Sequence, residues 1–364
     1  MTRTLLAVLV TLGDPNQLTG GYLYHRRLAD LASQHVARLD FISVPERPFP
    51  LAIAHGGEVM RTVAASGAQV IVLDSIAAAF VGPWLMLREP PLPMVGMLHQ
   101  PPGGIDHGPV RTLLQAALDR LAYKRARRLL VASESLAEEL IGAGERPDRV
   151  AVVPPGRDVA LAPGPPPGDL RQGRRAAFLC VGNWVERKGI LPLLEAFAAL
   201  PDDTATLHLV GDPRTRSTYG RRVQARLAQP DLRRRVTVHG PVSISAVASL
   251  YAAADVFVLA SLKEPYGTVY GEAMAFGLPV VGWDAGNLPY LAENEREGLL
   301  VAAGDVAALS WALRRLAEDA DLRTRLGAAA RHKALSRPTW NEVAALFFDR
   351  LRQVLAGTQF RSPL

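Results

Sequence analysis

Short apolar segments suited to β-strands alternate with helical segments along almost the whole chain. That alternation restricts the fold to parallel sheets covered by helices on both faces. In the first half the strand candidates are residues 5–10, 70–73, 94–98, 129–131 and 150–153, with helical stretches at 22–33 and 111–124 between them. In the second half the strands are 177–181, 206–210, 236–238, 256–259, 280–282 and 299–301, separated by helices such as 190–200, 247–253 and 307–317. The two series meet at Pro154-Pro155-Gly156-Arg157 and the Pro/Gly-rich stretch 163–168. Proline fixes φ and cannot donate to a ladder, so this stretch reads as an interdomain connector. A chain of 364 residues is long enough for two domains, each with its own core.

Other features exclude whole classes of function. One cysteine, Cys180, leaves no disulfide framework and no cysteine-based metal site, and fits a reducing cytoplasm. It lies in an apolar strand and reads as core. No apolar run has the length of a membrane span, and residues 5–12 read as a first strand and not as a secretory signal. Residues 1–170 carry 16 Lys/Arg and 16 Asp/Glu, so the net charge of +6 falls entirely in the second half. A basic second half suits an anionic nucleotide. The run from Arg120 to Arg128 reads as a solvated helix face. Basic residues are not interleaved with aromatics, so no nucleic-acid partner is expected.

The most informative segment runs from Lys263 to Pro279. Glu264 sits in a Gly/Pro loop, and Glu272 eight residues later sits in a short helix that Gly277 and Pro279 stop. The loop leaves the carboxyl end of one strand and feeds a helix N-terminus, where open α/β sheets bind ligands and where free N–H groups attract phosphate. A carboxylate one turn further in can accept hydrogen bonds from sugar hydroxyls. Together these groups suit a sugar joined to a diphosphate.

Glu-x7-Glu followed by Ala-Met-Ala-x-Gly-x-Pro-Val (Glu264 to Val280) resembles the donor-site signature of family 4 retaining glycosyltransferases. The resemblance implies the GT-B fold: α/β, with two Rossmann-like domains facing a cleft. On that reading residues 1–162 form an acceptor-binding domain, to which a C-terminal helix, 338–364, crosses back. Residues 170–337 then form the nucleotide-sugar domain. The segment Gly182-Asn183-Trp184-Val185-Glu186-Arg187-Lys188-Gly189 resembles the family's Gly-Arg-x-x-x-x-Lys-Gly element, with Asn183 in place of its arginine. Lys188 is the phosphate candidate, and Arg187 a possible substitute for the missing charge. Pro154 to Asp158 resembles the family's junction turn.

Further candidates follow from strand-end positions. Gly20 and Gly21, after the first strand, allow a close approach to a ligand. No GxGxxG fingerprint accompanies them, which disfavours a nicotinamide dehydrogenase. His99 lies just past a strand end, where an imidazole can bind a sugar hydroxyl or polarise a reacting group; Asp74 and Asp14 have similar placement, and His25 and His107 receive no role. Gly211, with Pro241 and Val242, lies in turns that would frame a nucleotide base.

The resemblance implies retaining, metal-independent transfer of a hexose from a nucleotide-diphosphate sugar to an unidentified acceptor. It implies no cofactor, and UDP is the first guess for the nucleotide. Lys188 and the N–H groups around Gly267, Thr268 and Val269 would hold phosphate, Glu272 the ribose and Glu264 the sugar ring, with Tyr266 also a donor-binding residue; His99, Lys188 and Glu264 carry the catalytic assignment. Helix dipole and Lys188 would stand in for a cation. In lipid-modifying relatives the acceptor side is the first domain, so the basic second half gives only weak support to peripheral contact with an inner membrane face. An epimerase or hydrolase on the same fold, or a non-catalytic relative that binds nucleotide sugars, are the alternatives.

Overall fold

The computed structural model describes residues 3–15, 20–49, 51–105, 107–157, 163–165 and 167–357. Asp158, the last residue of the junction turn named above, lies outside them. The chain divides into two compact units, Met1–Gly156 with Pro338–Leu364, and Arg157–Arg337. Each unit holds a six-stranded, wholly parallel sheet.

The first sheet comprises β1 (Leu5–Leu12), β2 (Ala37–Val44), β3 (Val70–Asp74), β4 (Met94–Leu98), β5 (Arg128–Val131) and β6 (Val150–Val152), in the order β2-β1-β3-β4-β5-β6. Strand β2 was not foreseen. It is an edge strand in which Arg38 and Asp40 alternate with buried Ala37 and Leu39, so it lacks the unbroken apolar run of its neighbours. Strands β3 and β4 are buried along their whole length.

The second sheet comprises β7 (Ala176–Val181), β8 (Ala205–Val210), β9 (Val236–Gly240), β10 (Val256–Leu259), β11 (Val280–Trp283) and β12 (Gly298–Val301), in the order β12-β11-β10-β7-β8-β9. This is the doubly wound dinucleotide-binding order. The first sheet instead has the flavodoxin-like order extended by one strand. In each sheet the chain reverses direction at one place, between β1 and β3 in the first and between β7 and β10 in the second. Ligands of such sheets bind outside the carboxyl ends of the strands at these switch points. Cys180 is buried in β7, in the core of the second unit.

The last helix, Trp340–Ala356, packs in the first unit. Its start is fixed by a capping box: Thr339 Oγ1 accepts from the Glu342 N–H at 3.3 Å, and Glu342 accepts from the Thr339 N–H at 2.7 Å. Val343, Phe347, Phe348 and Leu351 then enter the core that also holds Leu9, Val72 and Met97. Each large side chain so buried contributes about 1.5–3 kcal/mol. Among the described residues no helix is long and apolar enough to cross a membrane.

Candidate functional site

In the second unit, the turn after β7 and the loop after β10 leave adjacent strands at the switch point. The turn Glu186–Lys188 is 3-10 helical and ends at Gly189, whose φ of 65° suits glycine. A Cβ at Gly189 would fall 1.9 Å from the Ala260 carbonyl oxygen, so only glycine lets the turn pass this close to the end of β10. The Lys188 stem lies over Gly182, and its ammonium contacts the Glu264 carboxylate. Arg187 points the same way: its guanidinium donates to the Lys263 carbonyl at 3.1 Å and stands 3.9 Å from Glu264 Oε2. Ser261 Oγ lies 3.5 Å from that same oxygen.

The loop is closed by further backbone constraints. Asn287 donates its N–H to the Glu264 carbonyl at 3.1 Å and its side-chain amide to the Tyr266 carbonyl at 2.9 Å. The Tyr266 hydroxyl accepts from Arg337 at 3.0 Å. Gly267, at φ 87°, caps the helix Thr268–Ala275. The first N–H groups of a helix have no acceptor within it, so the amides of Thr268 and Val269 form a partial positive end. One turn on, Glu272 accepts from the Tyr251 hydroxyl at 3.1 Å. Lys188, Arg187, Glu264 and the helix start thus gather at one switch point, with Glu272 following on the helix.

Asn183 faces elsewhere. Its side-chain oxygen accepts the Asp212 N–H at 2.9 Å and ties the β7 turn to the β8 turn. Gly211, at φ 131°, permits that approach, since a Cβ there would meet the Gly182 carbonyl oxygen at 2.4 Å. Pro241 and Val242 are exposed after β9.

The first unit carries a second constellation at its own switch point. Thr11 at the end of β1 donates to Asp74 Oδ2 at 2.8 Å across the β1–β3 boundary. Ser75 Oγ and the Ile76 N–H approach Asp74 Oδ1 at 3.3 and 3.4 Å. His25 Nδ1 lies 3.6 Å from Asp74 Oδ2, and His25 Nε2 lies 2.8 Å from His99 Nε2. Burial lowers both imidazoles to about 3, so both are neutral at physiological pH. Burial raises the Asp74 carboxyl, against the pull of His99 and its hydrogen-bond donors.

Gly20 and Gly21 belong to the first turn of the helix Gly20–Leu31, two residues earlier than expected, and not to an open loop. Neither has the positive φ that only glycine accepts. Gly21 instead brings the helix against the His99 ring, where a Cβ would sit 3.6 Å from Cδ2.

The first unit also holds a cavity of about 310 Å³ lined by Leu12, Ile76 and Phe80 and by the polar residues Gln100, His107, Arg111 and Gln115, among others. Gln115 is 4% exposed, and its Oε1 has no hydrogen-bond partner among the described residues.

Residues 6–156 match the glycosyl transferase 4-like domain, and residues 175–319 match the glycosyl transferases group 1. The chain belongs to the family 4 glycosyltransferases. It is 34% identical over 233 residues to a D-inositol 3-phosphate glycosyltransferase of Xylanimonas cellulosilytica, an alignment covering 61% of this chain and 55% of that one. The chain thus spans about half the length of the curated relatives it matches. Sucrose-phosphate synthase from Thermosynechococcus elongatus shares its GT-B fold with a TM-score of 0.81 at 23% identity, over 97% of this chain and 100% of that one. The Anabaena protein HepE, solved with UDP and glucose, superimposes with a TM-score of 0.76 at 20% identity, over 95% and 99% of the two chains.

His25 and His107 receive no role from the sequence, and the structure sets His25 against His99 and His107 in the cavity wall. No local motif signals either, since the partner strands lie far away in sequence. His25, Asp74 and His99 are also the one group among the described residues with metal-ligand spacing, their ligand atoms lying within 4.8 Å of one another. One Asp-x-Asp spacing occurs, Asp319-Ala320-Asp321, where Asp319 caps the helix Ala320–Leu335 by accepting the Leu322 N–H at 2.8 Å.

Proposed function

We propose that this protein transfers a hexose from a nucleotide-diphosphate sugar to an acceptor hydroxyl, with retention at the anomeric carbon and without a metal ion. The observation that carries this reading is the meeting of Lys188, Arg187 and Glu264 at the switch point of the second sheet, beside the N-terminus of the helix Thr268–Ala275. Two cations and a helix N-terminus offer a diphosphate what a divalent ion would otherwise supply: fixed positive charge where the leaving group gains negative charge. Glu264 is then free to turn from Lys188 to the sugar hydroxyls. Glu272, held by Tyr251, takes the ribose. The turns at Gly211 and at Pro241 and Val242 flank the base. Asn183 acts in this reading as a brace between turns and leaves phosphate to Lys188 and Arg187.

UDP is the nucleotide we propose, because HepE, which shares the fold, was solved with UDP and glucose. The acceptor enters the cavity of the first unit, whose lining includes Gln100, the residue after His99. Its size and mixed lining fit a compact polyol, and the named relative acts on an inositol phosphate.

The test is thermal shift with UDP, GDP, ADP and dTDP in the presence of a chelator, followed by transfer assays with the matching hexose donors and small polyol acceptors. Stabilisation by one nucleotide, and a product whose NMR coupling constants keep the donor's anomeric configuration, are the expected results. No stabilisation by any nucleotide, or transfer strictly dependent on a divalent ion, would refute the assignment.

A further inference from the structure

His99 can serve its site in two opposite ways, as a hydrogen-bond donor through an N–H or as an acceptor through a ring lone pair. The groups behind it decide which. His25 is wholly buried, and both its nitrogens face named partners: Nδ1 faces Asp74 Oδ2 at 3.6 Å and Nε2 faces His99 Nε2 at 2.8 Å. Burial raises the Asp74 carboxyl, but both its oxygens accept, Oδ2 from Thr11 Oγ1 and Oδ1 from Ser75 Oγ and the Ile76 N–H, which is the arrangement of a carboxylate. A lone pair on His25 Nδ1 would point at a carboxylate and be repelled. A proton there is attracted, even though 3.6 Å is too long for a hydrogen bond. A neutral imidazole carries one N–H, so His25 Nε2 is left as an acceptor. The 2.8 Å contact then requires the proton on His99 Nε2.

We propose that Asp74 and His25 are positioning residues that hold His99 as the Nε2–H tautomer, leaving His99 Nδ1 as an unprotonated acceptor for a substrate hydroxyl. The remaining surroundings agree. Gly21 covers the Cδ2 edge of the His99 ring, and Tyr24 packs edge-on against both imidazoles, with ring centroids 4.8 Å from His99 and 5.9 Å from His25. Nε2 is engaged with His25 and Gly21 covers Cδ2, so by elimination the edge of this partly exposed ring left for substrate is the one bearing Nδ1. A shared metal fits the pair poorly. Two nitrogens bound to one tetrahedral ion at about 2.0–2.1 Å stand more than 3 Å apart, farther than the pair is.

The inference rests on the reading of His99 as a substrate contact, but its test does not. Full-length protein labelled with 15N-histidine, treated with EDTA, is examined by long-range 1H–15N correlation at neutral pH. The ring signals are assigned with His25→Gln and His99→Gln. Expected are a protonated Nε2 with an unprotonated Nδ1 for His99, and the reverse for His25. A protonated His99 Nδ1, equal averaging of its two nitrogens, or a metal-type shift restored by added zinc would each overturn the proposal. Asp74→Asn should return His99 to a tautomer mixture. If that variant does not fold, Thr11→Val, which removes one donor to Asp74, should move the His25 signals toward averaging. With UDP-hexose, His25→Gln should lower kcat/KM about tenfold. Failure of all sugar transfer with the tautomers as described would defeat the functional reading alone.

Discussion

Lys188 and Glu264 stand 76 residues apart in sequence and meet as an ion pair, with side chains only 11% and 13% exposed. Each neutralises the other at the point where two neighbouring strands of the second sheet end.

Removing one partner leaves a mostly buried charge. Lys188→Met and Glu264→Gln should each cost on the order of 3 kcal/mol of stability, and the double variant clearly less than the sum. Chemical denaturation of the four proteins gives the coupling. Strict additivity would show that the contact carries no coupling energy.

Gly189→Ala should be among the most damaging single substitutions in the second unit. It combines a positive φ with a Cβ 1.9 Å from the Ala260 carbonyl oxygen. A loss of roughly 3 kcal/mol or more is expected, with nucleotide binding lost as the Lys188 turn moves. Thermal unfolding of the variant with and without UDP measures both effects.

Tyr251→Phe removes the hydroxyl that donates to Glu272 at 3.1 Å and leaves the ring packed. A weakening of nucleotide affinity by about five- to tenfold is expected, equivalent to about 1 kcal/mol for one lost hydrogen bond. Titration calorimetry with UDP checks it, and an unchanged affinity would remove Glu272 from the nucleotide site.

Asp119 supplies a pH dependence of known sign. Burial raises its carboxyl from 3.8 to about 7. Between those values the folded chain keeps a proton that the unfolded chain releases, so stability is fully present below pH 4 and falls as pH rises through 7. Asp119→Asn keeps an acceptor for the Gly103 N–H that the carboxylate binds at 2.8 Å. The variant should gain stability progressively from pH 4 to 7, by at most about 4 kcal/mol. Urea titrations across that range decide it, and parallel curves for the two proteins would contradict the shift.

The sequence discloses most of the fold because parallel strands buried on both faces leave unbroken apolar runs, as in β3, β4 and β10. It hides β2 because an edge strand alternates apolar with charged residues. In the donor region Glu264, Glu272 and Lys188 sit in two compact segments whose glycines mark the tight turns, so the segments are legible one at a time. Their meeting is not, since strand order decides it. His25 shows the limit best. A lone histidine on a helix has no local signature, and its partners Asp74 and His99 come from two other strands. Against the family pattern Asn183 lacks a charge, whereas in the structure its side chain accepts the Asp212 N–H.

The chain leaves the first unit at Gly156 and returns at Pro338, and Arg157 donates to the Arg337 carbonyl at 3.0 Å just inside the second unit. The second unit is therefore one uninterrupted length of polypeptide whose beginning and end are stitched together. A module closed in this way can be cut out or exchanged at a single place on the host, and the host's own two pieces stay joined through the helix that carries Trp340.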